Sequence, residues 1–427
     1  MPKESFLPFS QLFSRLCSAE QHPTEELSAH IVVGVTHSQT CMVLRGRLRA
    51  LREAGFRVTL ICSPGELAER LAAEEGAEYR PLSICRKIAP LRDAVAFVRM
   101  LLLLLRLRPQ ICEFSTPKAG LLGSVAARIV GVPTRIYMLR GLRLEASRGL
   151  ERRILLACER LAAHCAQKVL CNSESLHHQA LELRLAPPEK LCVLGTGSSN
   201  GVDVTHYVPG PESLRKQLRI PKKAPVIGFV GRFTYAKGIP DLLEAFERVL
   251  QTLPRAHLLL VGWFDAAEDA LSPAWKQRIL RHPRIHATGM ASDCAPYYRA
   301  MDLLALPSWR EGFPNAVLEA AASGIPTVTT LATGACDSVV EEETGLLVAP
   351  GYPSALCEAI LRLLEQPVRL RRMGRAARAR AIAQFSSETV LRRTVEFYQG
   401  LTLRNSRALR EGTKSTAEAS AAAAAIC

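Results

Sequence analysis

The stretch PVIGFVGRFTYAKGIPDLLEAFERVLQT, residues 225–252, carries the clearest structural pattern in the chain. Pro225–Gly231 is an apolar run of strand length that ends in glycine. Ile239–Thr252 follows as a helix in which apolar side chains recur at helical spacing. The apolar face of that helix carries Leu242, Leu243, Phe246 and Leu250. A buried strand, a turn and an amphipathic helix form the repeating unit of parallel α/β sheets.

The same alternation of strand and helix runs through both halves of the chain. In the first half, strands are predicted at His30–Val35, Arg57–Cys62, Gln110–Phe114, Thr134–Leu139 and Lys168–Cys171. Helices are predicted there at Leu44–Ala54, Gly65–Glu75, Leu91–Leu107, Ala119–Val130 and Leu150–Ala163. Further strands are predicted at His257–Val261, Arg284–Ala287, Leu303–Leu306, Pro326–Thr330 and Leu346–Val348. The pattern predicts an α/β fold of two Rossmann-like domains that face each other across a cleft.

Prolines, glycine and charge mark the division of the chain. Residues 205–224 contain three prolines and the pair Lys222–Lys223, and are predicted to link a first domain at 30–204 to a second at 225–385. Residues 1–29 are predicted to be an N-terminal extension. A last helix at 386–402 is predicted to pack back on the first domain, and 403–427 to be a disordered tail.

Composition limits the partners and the compartment. The net charge of +15 and the pI near 9.5 imply an anionic partner. Nucleic acid is not expected, because the sequence lacks a basic stripe interleaved with aromatic residues and a recognisable binding module. A phosphate-bearing small molecule or an anionic membrane surface remains. The 13 cysteines are scattered singly, which predicts free thiols rather than a disulfide framework or a zinc site. No secretory signal opens the sequence, so a cytoplasmic location is expected.

One segment raises the question of membrane contact. Val95–Leu107 reads VAFVRMLLLLLRL, which is strongly apolar but interrupted by Arg99 and Arg106. It is too short to cross a bilayer, which takes roughly 20 residues. Two interpretations stay open. The segment is an ordinary helix of an α/β domain, or it is an interfacial helix whose apolar side lies in lipid and whose arginines lie among the headgroups.

Two cations follow the strand at Pro225–Gly231. Arg232 comes directly after the strand, and Lys237 with Gly238 comes directly before the helix. Arginine offers a fork of donors, lysine a point charge, and the helix start adds free N–H groups, so this arrangement can flank a diphosphate. The alternative is a pair of solvated surface cations.

A second motif is PSWREGFPNAVLEAAASGIPTV, residues 307–328. Pro314 fits the first position of a helix that reaches Ser323, and Gly324 fits the left-handed residue after its end. Glu311 precedes this helix and Glu319 lies in its second turn. Because each carboxylate can accept two hydroxyl hydrogens, the pair suits a ligand with two polyhydroxyl ends. The alternative is two surface glutamates.

Taken in order, these motifs resemble the retaining glycosyltransferases of family four, which have the GT-B fold. The resemblance rests on Gly231-Arg232-x4-Lys237-Gly238, Glu311-Gly312-Phe313-Pro314-x4-Glu319, Gly324-x-Pro326 and Thr344-Gly345-Leu346-Leu347-Val348. It implies that Glu311 faces the hydroxyls of the transferred sugar, Glu319 faces the ribose, and Arg232 with Lys237 holds the diphosphate. The other implied donor-binding residues are Gly231, Gly238, Gly312, Phe313, Asn315, Ala316 and Leu318. It further implies no metal and no cofactor, only a nucleoside-diphosphate sugar as co-substrate.

The first half resembles one branch of that family. The segments EFSTPKAGLLGSVAARIVGVP (113–133), CNSESL (171–176) and GTGSSNGVD (195–203) are similar to enzymes that extend polyprenyl-diphosphate-linked saccharides in bacterial surface-polysaccharide assembly. This implies transfer of a hexose or N-acetylhexosamine, with uridine as the base, to a lipid-linked saccharide acceptor. It also implies a peripheral position on the inner face of the plasma membrane.

The acceptor half departs from the family pattern at two loops. The first turn reads Thr36-His37-Ser38-Gln39-Thr40 where many relatives have a Gly-Gly pair, and Met138-Leu139-Arg140-Gly141 replaces a loop that carries histidine in many relatives. Arg140 is the predicted substitute for that histidine. The candidate acceptor-side residues are His37, Ser38, Thr116, Lys118 and Arg140.

Other functions are considered beside this one. A sugar-nucleotide epimerase of similar fold would need an acid/base cluster, and the second half has only His257, His282 and His286. A non-catalytic protein of the same fold is the other alternative, although the four charged residues of the motifs are intact. A nicotinamide-dinucleotide loop at Gly195-x-Gly197 is disfavoured, because Asn200 occupies the position of its third glycine.

Overall fold

The computed structural model describes residues 29–85, 89–211, 213–265 and 269–403. The predicted N-terminal extension and C-terminal tail lie outside the described residues, apart from positions 29 and 403. The first seven strands are β1 (His30–Gly34), β2 (Arg57–Cys62), β3 (Glu78–Pro81), β4 (Ile111–Ser115), β5 (Thr134–Leu139), β6 (Lys168–Cys171) and β7 (Leu191–Val193). The next six are β8 (Val226–Val230), β9 (His257–Val261), β10 (Ile285–Ala287), β11 (Leu303–Leu306), β12 (Thr327–Thr330) and β13 (Gly345–Val348).

Helices connect these strands. The first six are α1 (Arg47–Glu53), α2 (Glu66–Glu75), α3 (Pro90–Leu107), α4 (Pro117–Val130), α5 (Gly149–Cys165) and α6 (Glu174–Glu182). The next seven are α7 (Ser213–Gln217), α8 (Ile239–Thr252), α9 (Pro273–Arg281), α10 (Ala295–Ala300), α11 (Asn315–Ala322), α12 (Pro353–Leu364) and α13 (Pro367–Phe385). A last helix, α14, follows over 387–403. Across the described residues, none of these helices has both the length and the apolarity needed to traverse a bilayer.

The strands form two parallel sheets. One has the order β3-β2-β1-β4-β5-β6-β7 and the other β10-β9-β8-β11-β12-β13. In each sheet the chain moves outward in one direction and then returns to build the other side, so the order reverses between β1 and β4 and between β8 and β11. Ligands of open α/β sheets bind at such reversals, beyond the carboxyl ends of the strands.

Apolar side chains fill both faces of each sheet. All five residues of β1 are buried, and so are all five of β4 and β9. Alternate residues serve opposite faces, since Val32 packs with Met100 of α3, whereas Val33 packs with Leu48 of α1 and Tyr398 of α14. Strands buried on both sides explain the near-continuous apolar runs in the sequence.

The last two helices join the two halves. α13 packs on α11 of the second half, and Ser386 then bridges to Val202. α14 lies on the first sheet, where the fully buried Tyr398 donates a hydrogen bond to Glu113 of β4. Arg47 of α1 forms an ion pair with the same carboxylate. The C-terminal end of the chain therefore returns from the second sheet to the first.

Several predicted elements need correction. Leu44–Ala54 is not one helix, because Gly46 has a left-handed φ of 78° and separates a 3₁₀ turn at Ser38–Leu44 from α1. Pro314 and Ser323 cap α11 rather than belonging to it, while Gly324 has the predicted left-handed conformation with φ of 78°. The predicted linker contains the short helix α7. The domain bounds themselves stay a prediction.

Candidate active site

Two loops meet where the order of the second sheet reverses. One leaves β8 and reaches α8 through Arg232 and Lys237, and the other leaves β11 and reaches α11 through Glu311. Because β8 and β11 are hydrogen-bonded neighbours, their carboxyl ends place the two loops side by side. The two motifs found in the sequence therefore lie at the same edge of the sheet, beside the cleft.

Lys237 and Glu311 join the two motifs directly. Their side chains form an ion pair although they are 74 residues apart in the chain. The Glu311 side chain is 11% exposed and that of Lys237 22%, so both are largely shielded yet reachable. A partly shielded pair beside a cleft is able to exchange one partner for a charged ligand.

Two glycines allow the close approach of these loops. Gly238 begins α8 with φ of 68°, and a Cβ there would lie 2.0 Å from the carbonyl oxygen of Pro307. A Cβ on Gly312 would lie 2.2 Å from the carbonyl oxygen of Arg140, which belongs to the first half of the chain. Backbone packing therefore requires glycine at positions 238 and 312, and the donor-binding roles of both residues stay predictions. Gly231 ends its strand with φ of 150° and donates its N–H to Val261.

Arg232 is held by an acidic residue that the sequence analysis did not identify. Its guanidinium forms an ion pair with Asp265, and the arginine side chain remains 40% exposed. Asp265 lies four residues beyond the end of β9, the strand next to β8. An acidic residue four positions after the predicted strand His257–Val261 was the sequence signal that could have identified Asp265.

Glu319 is half-buried beside an aromatic hydroxyl. Tyr298 of α10 donates a hydrogen bond to its Oε2 over 2.8 Å. Burial raises the pKa of Glu319 to about 7, although the bond from Tyr298 acts in the opposite direction. Tyr298 was not predicted, because it comes from a short helix with no motif of its own. The Glu319 carboxyl group therefore holds its proton to a higher pH than an exposed glutamate does.

The remaining donor-side candidates divide into two groups. Asn315 is exposed and Ala316 partly exposed at the start of α11, where backbone N–H groups are not used within the helix. Phe313 and Leu318 instead enter the apolar cluster around Phe385, with Phe313 and Phe385 ring centroids 5.2 Å apart. The side chains of Phe313 and Leu318 therefore anchor the motif in the core. The donor-binding roles of these two residues stay predictions.

Arg140 lies where the two halves touch. It follows β5, and its Nη1 donates to Ser199 Oγ over 2.5 Å. Its Nε and Nη2 are buried and make no hydrogen bond within the described part of the chain. Burial and the charge of nearby Arg47 lower the pKa of Arg140 to about 10. The Arg140 carbonyl oxygen packs against Gly312, so Arg140 lies next to the Glu311 loop. Its Nε and Nη2 groups are the donors that have no partner in the described residues.

The other acceptor-side candidates surround the reversal point of the first sheet. Thr116 follows β4 with φ of 69°, and its hydroxyl lies 2.6 Å from that of Thr36, which follows β1. His37 caps the 3₁₀ turn by accepting from the Gln39 N–H over 3.3 Å, and Ser38 is buried. Lys118 is placed differently, since it forms an ion pair with Asp93 of α3 over 2.7 Å.

A set of hydrogen bonds that was not predicted connects the two halves on one side of the cleft. Asp337, from the second half, accepts from the backbone N–H of Ser175 at the start of α6 over 3.1 Å and also from its hydroxyl. The Gly334 N–H donates to Ser175 Oγ over 2.7 Å. Thr333 donates to Glu145 over 2.7 Å. We call these contacts the interdomain latch.

Cations and carboxyl groups lie side by side at the candidate site. Arg232 and Lys237 are balanced by Asp265 and Glu311, and Arg140 is left as an additional buried cation. In the described residues no three His, Cys, Asp or Glu side chains are grouped so as to hold a metal ion. The cysteines at the described positions all carry free thiols.

Comparison with known proteins places the chain in a family. The family described as "Glycosyl transferases group 1" matches residues 224–366, and "Glycosyl transferase 4-like domain" matches 42–197. The capsular polysaccharide biosynthesis glycosyltransferase CapM of Staphylococcus aureus is 33% identical over 357 residues, which is 83% of this chain and 93% of CapM. The chain belongs to glycosyltransferase family 4.

A second relative of this glycosyltransferase comes from Escherichia coli. It is the UDP-Gal:alpha-D-GlcNAc-diphosphoundecaprenol alpha-1,3-galactosyltransferase, 25% identical over 359 residues, which is 80% of this chain and 90% of that enzyme. Among solved structures, sucrose-phosphate synthase of Thermosynechococcus elongatus has a TM-score of 0.73 at 20% identity, over 88% of this chain and all of that one. HepE of Anabaena with UDP-glucose has a TM-score of 0.72 at 20% identity, over 87% and 99%. The predicted GT-B fold is confirmed.

Proposed function

We propose that this glycosyltransferase moves a hexose or N-acetylhexosamine from a UDP-sugar to a lipid-linked saccharide, with retention at the anomeric carbon, in the assembly of a surface polysaccharide. The observation that carries the proposal is the contact between Lys237 and Glu311. It joins a cation suited to a diphosphate and a carboxylate suited to sugar hydroxyls at one point beside the cleft. The Escherichia coli relative, named for a UDP-Gal donor and a diphosphoundecaprenol-linked acceptor, supports the donor base and the class of acceptor. CapM, named for capsular polysaccharide biosynthesis, supports the pathway class.

The donor is bound by charge and by hydroxyl acceptors. Arg232 and Lys237 face the diphosphate, and the N–H groups at Asn315 and Ala316 add donors at the start of α11. Glu319 accepts the ribose hydroxyls, and Glu311 accepts hydroxyls of the transferred sugar. No metal ion and no cofactor are required in this scheme, because fixed cations neutralise the departing diphosphate.

Transfer takes place on one face of the sugar. The bond between the anomeric carbon and the β-phosphate oxygen breaks while the acceptor oxygen bonds to the same carbon from the same side. The acceptor proton passes to the departing phosphate oxygen, which leaves UDP and the extended saccharide. Glu311 positions the sugar and does not act as a base. Arg140, with two donors that have no partner in the described residues, contributes positive charge to the departing diphosphate.

An epimerase of similar fold is the second candidate, and the geometry does not favour it. His257 begins β9, and its Nδ1 lies 2.8 Å from Nε2 of His286. The start of a strand is at the edge of the sheet opposite the cleft, and His282 precedes β10 on that same side. These three histidines are therefore remote from the donor loops and supply no acid/base pair there.

Product analysis tests the proposal. The full-length chain is incubated with a panel of UDP-hexoses and UDP-N-acetylhexosamines, with and without a polyprenyl-diphosphate-linked N-acetylhexosamine, in the presence of a chelator. The proposal predicts an extended saccharide with the anomeric configuration of the donor, read by NMR. Inversion at that carbon, transfer that needs a metal ion, or epimerised UDP-sugar without acceptor would each contradict it.

A further inference from the structure

Helix α3 exposes a straight row of large apolar side chains. Leu91, Val95, Val98 and Leu102 are between 44% and 86% exposed. Their spacing of four, three and four residues places them along one line of the helix. The opposite line, formed by Ala96, Met100 and Leu104, is buried against the sheet. The helix is thus apolar on the side that faces solvent as well as on the side that faces the core.

A row of arginines runs along the edge of this apolar row. Arg92, Arg99 and Arg106 are exposed and lie seven residues apart, one or four residues after an apolar member of the row. Throughout the described residues, none of the three forms an ion pair with an acidic side chain. The charges of these three arginines therefore do not stabilise the fold through ion pairs with described residues.

Helix α5 repeats the arrangement. Leu150, Ile154 and Leu161 are 72%, 50% and 48% exposed and share one line of the helix. Arg153 and Arg160 are exposed along the edge of that line. Arg160 donates one hydrogen bond to the Leu183 carbonyl over 2.9 Å, which leaves its charge without a counter-ion among the described residues.

The two rows face the same way. Helices α3 and α5 pack on opposite sides of α4, on one face of the first sheet, and the exposed Ile129 of α4 lies between them. We call the seven apolar residues of the two rows, Ile129 and the five arginines the α3–α5 surface. Nearby acidic side chains are already paired, Asp93 with Lys118 at 2.7 Å and Glu151 with Arg143 at 3.9 Å.

The composition of the α3–α5 surface indicates what kind of partner binds it. We propose that the α3–α5 surface docks on an anionic phospholipid bilayer, with the apolar rows in the acyl boundary and the arginines at the level of the phosphates. Apolar side chains on one line beside cations on its edge are the requirements of an interfacial helix. A second copy of the chain fits less well, because a symmetric contact would bring two sets of five arginines together.

Docking in this way orients the cleft. In a parallel α/β sheet each helix begins near the carboxyl ends of the strands, so the first turns of α3 and α5 are at the cleft. Leu91 and Leu150, the most exposed members of the two rows, lie in those first turns. The mouth of the cleft is thereby brought to the lipid surface. This consequence for a lipid-linked acceptor rests on the proposed function, whereas the docking itself does not.

Co-sedimentation with vesicles tests the inference. The probes are vesicles of phosphatidylcholine alone and of phosphatidylcholine mixed with phosphatidylglycerol, at physiological salt. A charge variant combines Arg99→Glu with Arg153→Glu, and an apolar variant combines Val95→Gln with Leu102→Gln. Matched controls on the second half are Arg371→Glu with Arg372→Glu, and Leu280→Gln, all at exposed positions.

Wild type is expected to bind the anionic vesicles and not the neutral ones. Each arginine near such a surface is worth about fivefold in affinity, so the charge variant is expected to lose at least about 25-fold. The apolar variant is expected to lose about tenfold or more, and the controls to stay within about twofold. Equal losses in the controls, no preference for anionic vesicles, or a wild-type dimer that these variants dissociate would overturn the inference. Nucleotide binding is measured in parallel. If the proposed function is wrong, wild type binds no nucleotide but still binds the anionic vesicles.

Discussion

Lys237 has one partner in this structure and is proposed to gain another when the donor binds. Its ion pair with Glu311 places its charge beside the departing diphosphate. We expect Lys237→Ala to lower kcat by about 100-fold or more, because a preorganised cation near a leaving group contributes several kcal/mol to transition-state stabilisation. Steady-state kinetics check this prediction. The control is Lys222→Ala, a substitution at an exposed position of the predicted linker. A Lys237→Ala enzyme with unaltered kcat would remove the diphosphate assignment.

Glu319 gives the donor site a pH dependence. Burial raises its pKa in the folded protein to about 7, so the carboxylate that is proposed to accept the ribose hydroxyls is lost as the pH falls through neutrality. We expect UDP-glucose to bind about tenfold more weakly at about pH 6 than at about pH 8. The sugar diphosphate has no phosphate group that titrates in this range, unlike UDP. Calorimetry should give a flat profile for Glu319→Gln, and a flat profile in wild type would contradict the assignment.

The sequence identified the charged members of the donor site but not their partners. Arg232, Lys237, Glu311 and Glu319 lie in local patterns of strand end, turn and helix start, which can be read along the chain. Asp265 and Tyr298 reach the site from another strand and a short helix, and only the folded sheet brings them there. The inward direction of Leu318 follows from helix geometry, since neighbours in a helix point about 100° apart and Glu319 is the more exposed of the two residues.

The turn between β8 and α8 depends on Gly238. A side chain there would meet both the strain of φ at 68° and a carbonyl oxygen 2.0 Å away. We expect Gly238→Ala to reduce the free energy of unfolding by more than about 2 kcal/mol and to weaken nucleotide binding. Gly131→Ala is the matched control, because Gly131 has φ of 78° but open space around it. The control is expected to cost only about 1 kcal/mol in a denaturant titration. Equal losses would show that the contact with Pro307 has no effect.

Elements with a strong internal pattern were predicted, and the two edge strands of the first sheet were missed. The strand predicted at Arg57–Cys62 matches β2, and the one predicted at His257–Val261 matches β9. β3 and β7 were not predicted, since they are four and three residues long and lie at the two edges of the first sheet. An edge strand is buried on fewer sides, so its sequence lacks the apolar run that marks a central strand.

At the scale of the whole molecule, the interdomain latch links the two halves beside the cleft. Asp337 accepts hydrogen bonds from both the backbone N–H and the hydroxyl of Ser175. We expect Asp337→Ala to open the cleft, which would increase the radius of gyration measured by small-angle X-ray scattering. Turnover should fall more than nucleotide affinity, because the donor loops belong to one half and transfer needs both. Glu358→Ala, at an exposed position, is the control. If the radius of gyration and the turnover are both unchanged, the interdomain latch does not hold the two halves together.

The direct test of a metal-independent UDP-sugar site is calorimetric titration of the full-length protein with UDP, GDP and NAD in the presence of a chelator. Wild type is compared with Glu319→Ala and with the exposed control Glu358→Ala. The account predicts that UDP binds, that the chelator has no effect, and that Glu319→Ala weakens binding by about tenfold or more, since hydrogen bonds to a charged group contribute about 1.5–3 kcal/mol. Binding of NAD in place of UDP, or of no nucleotide, would contradict it.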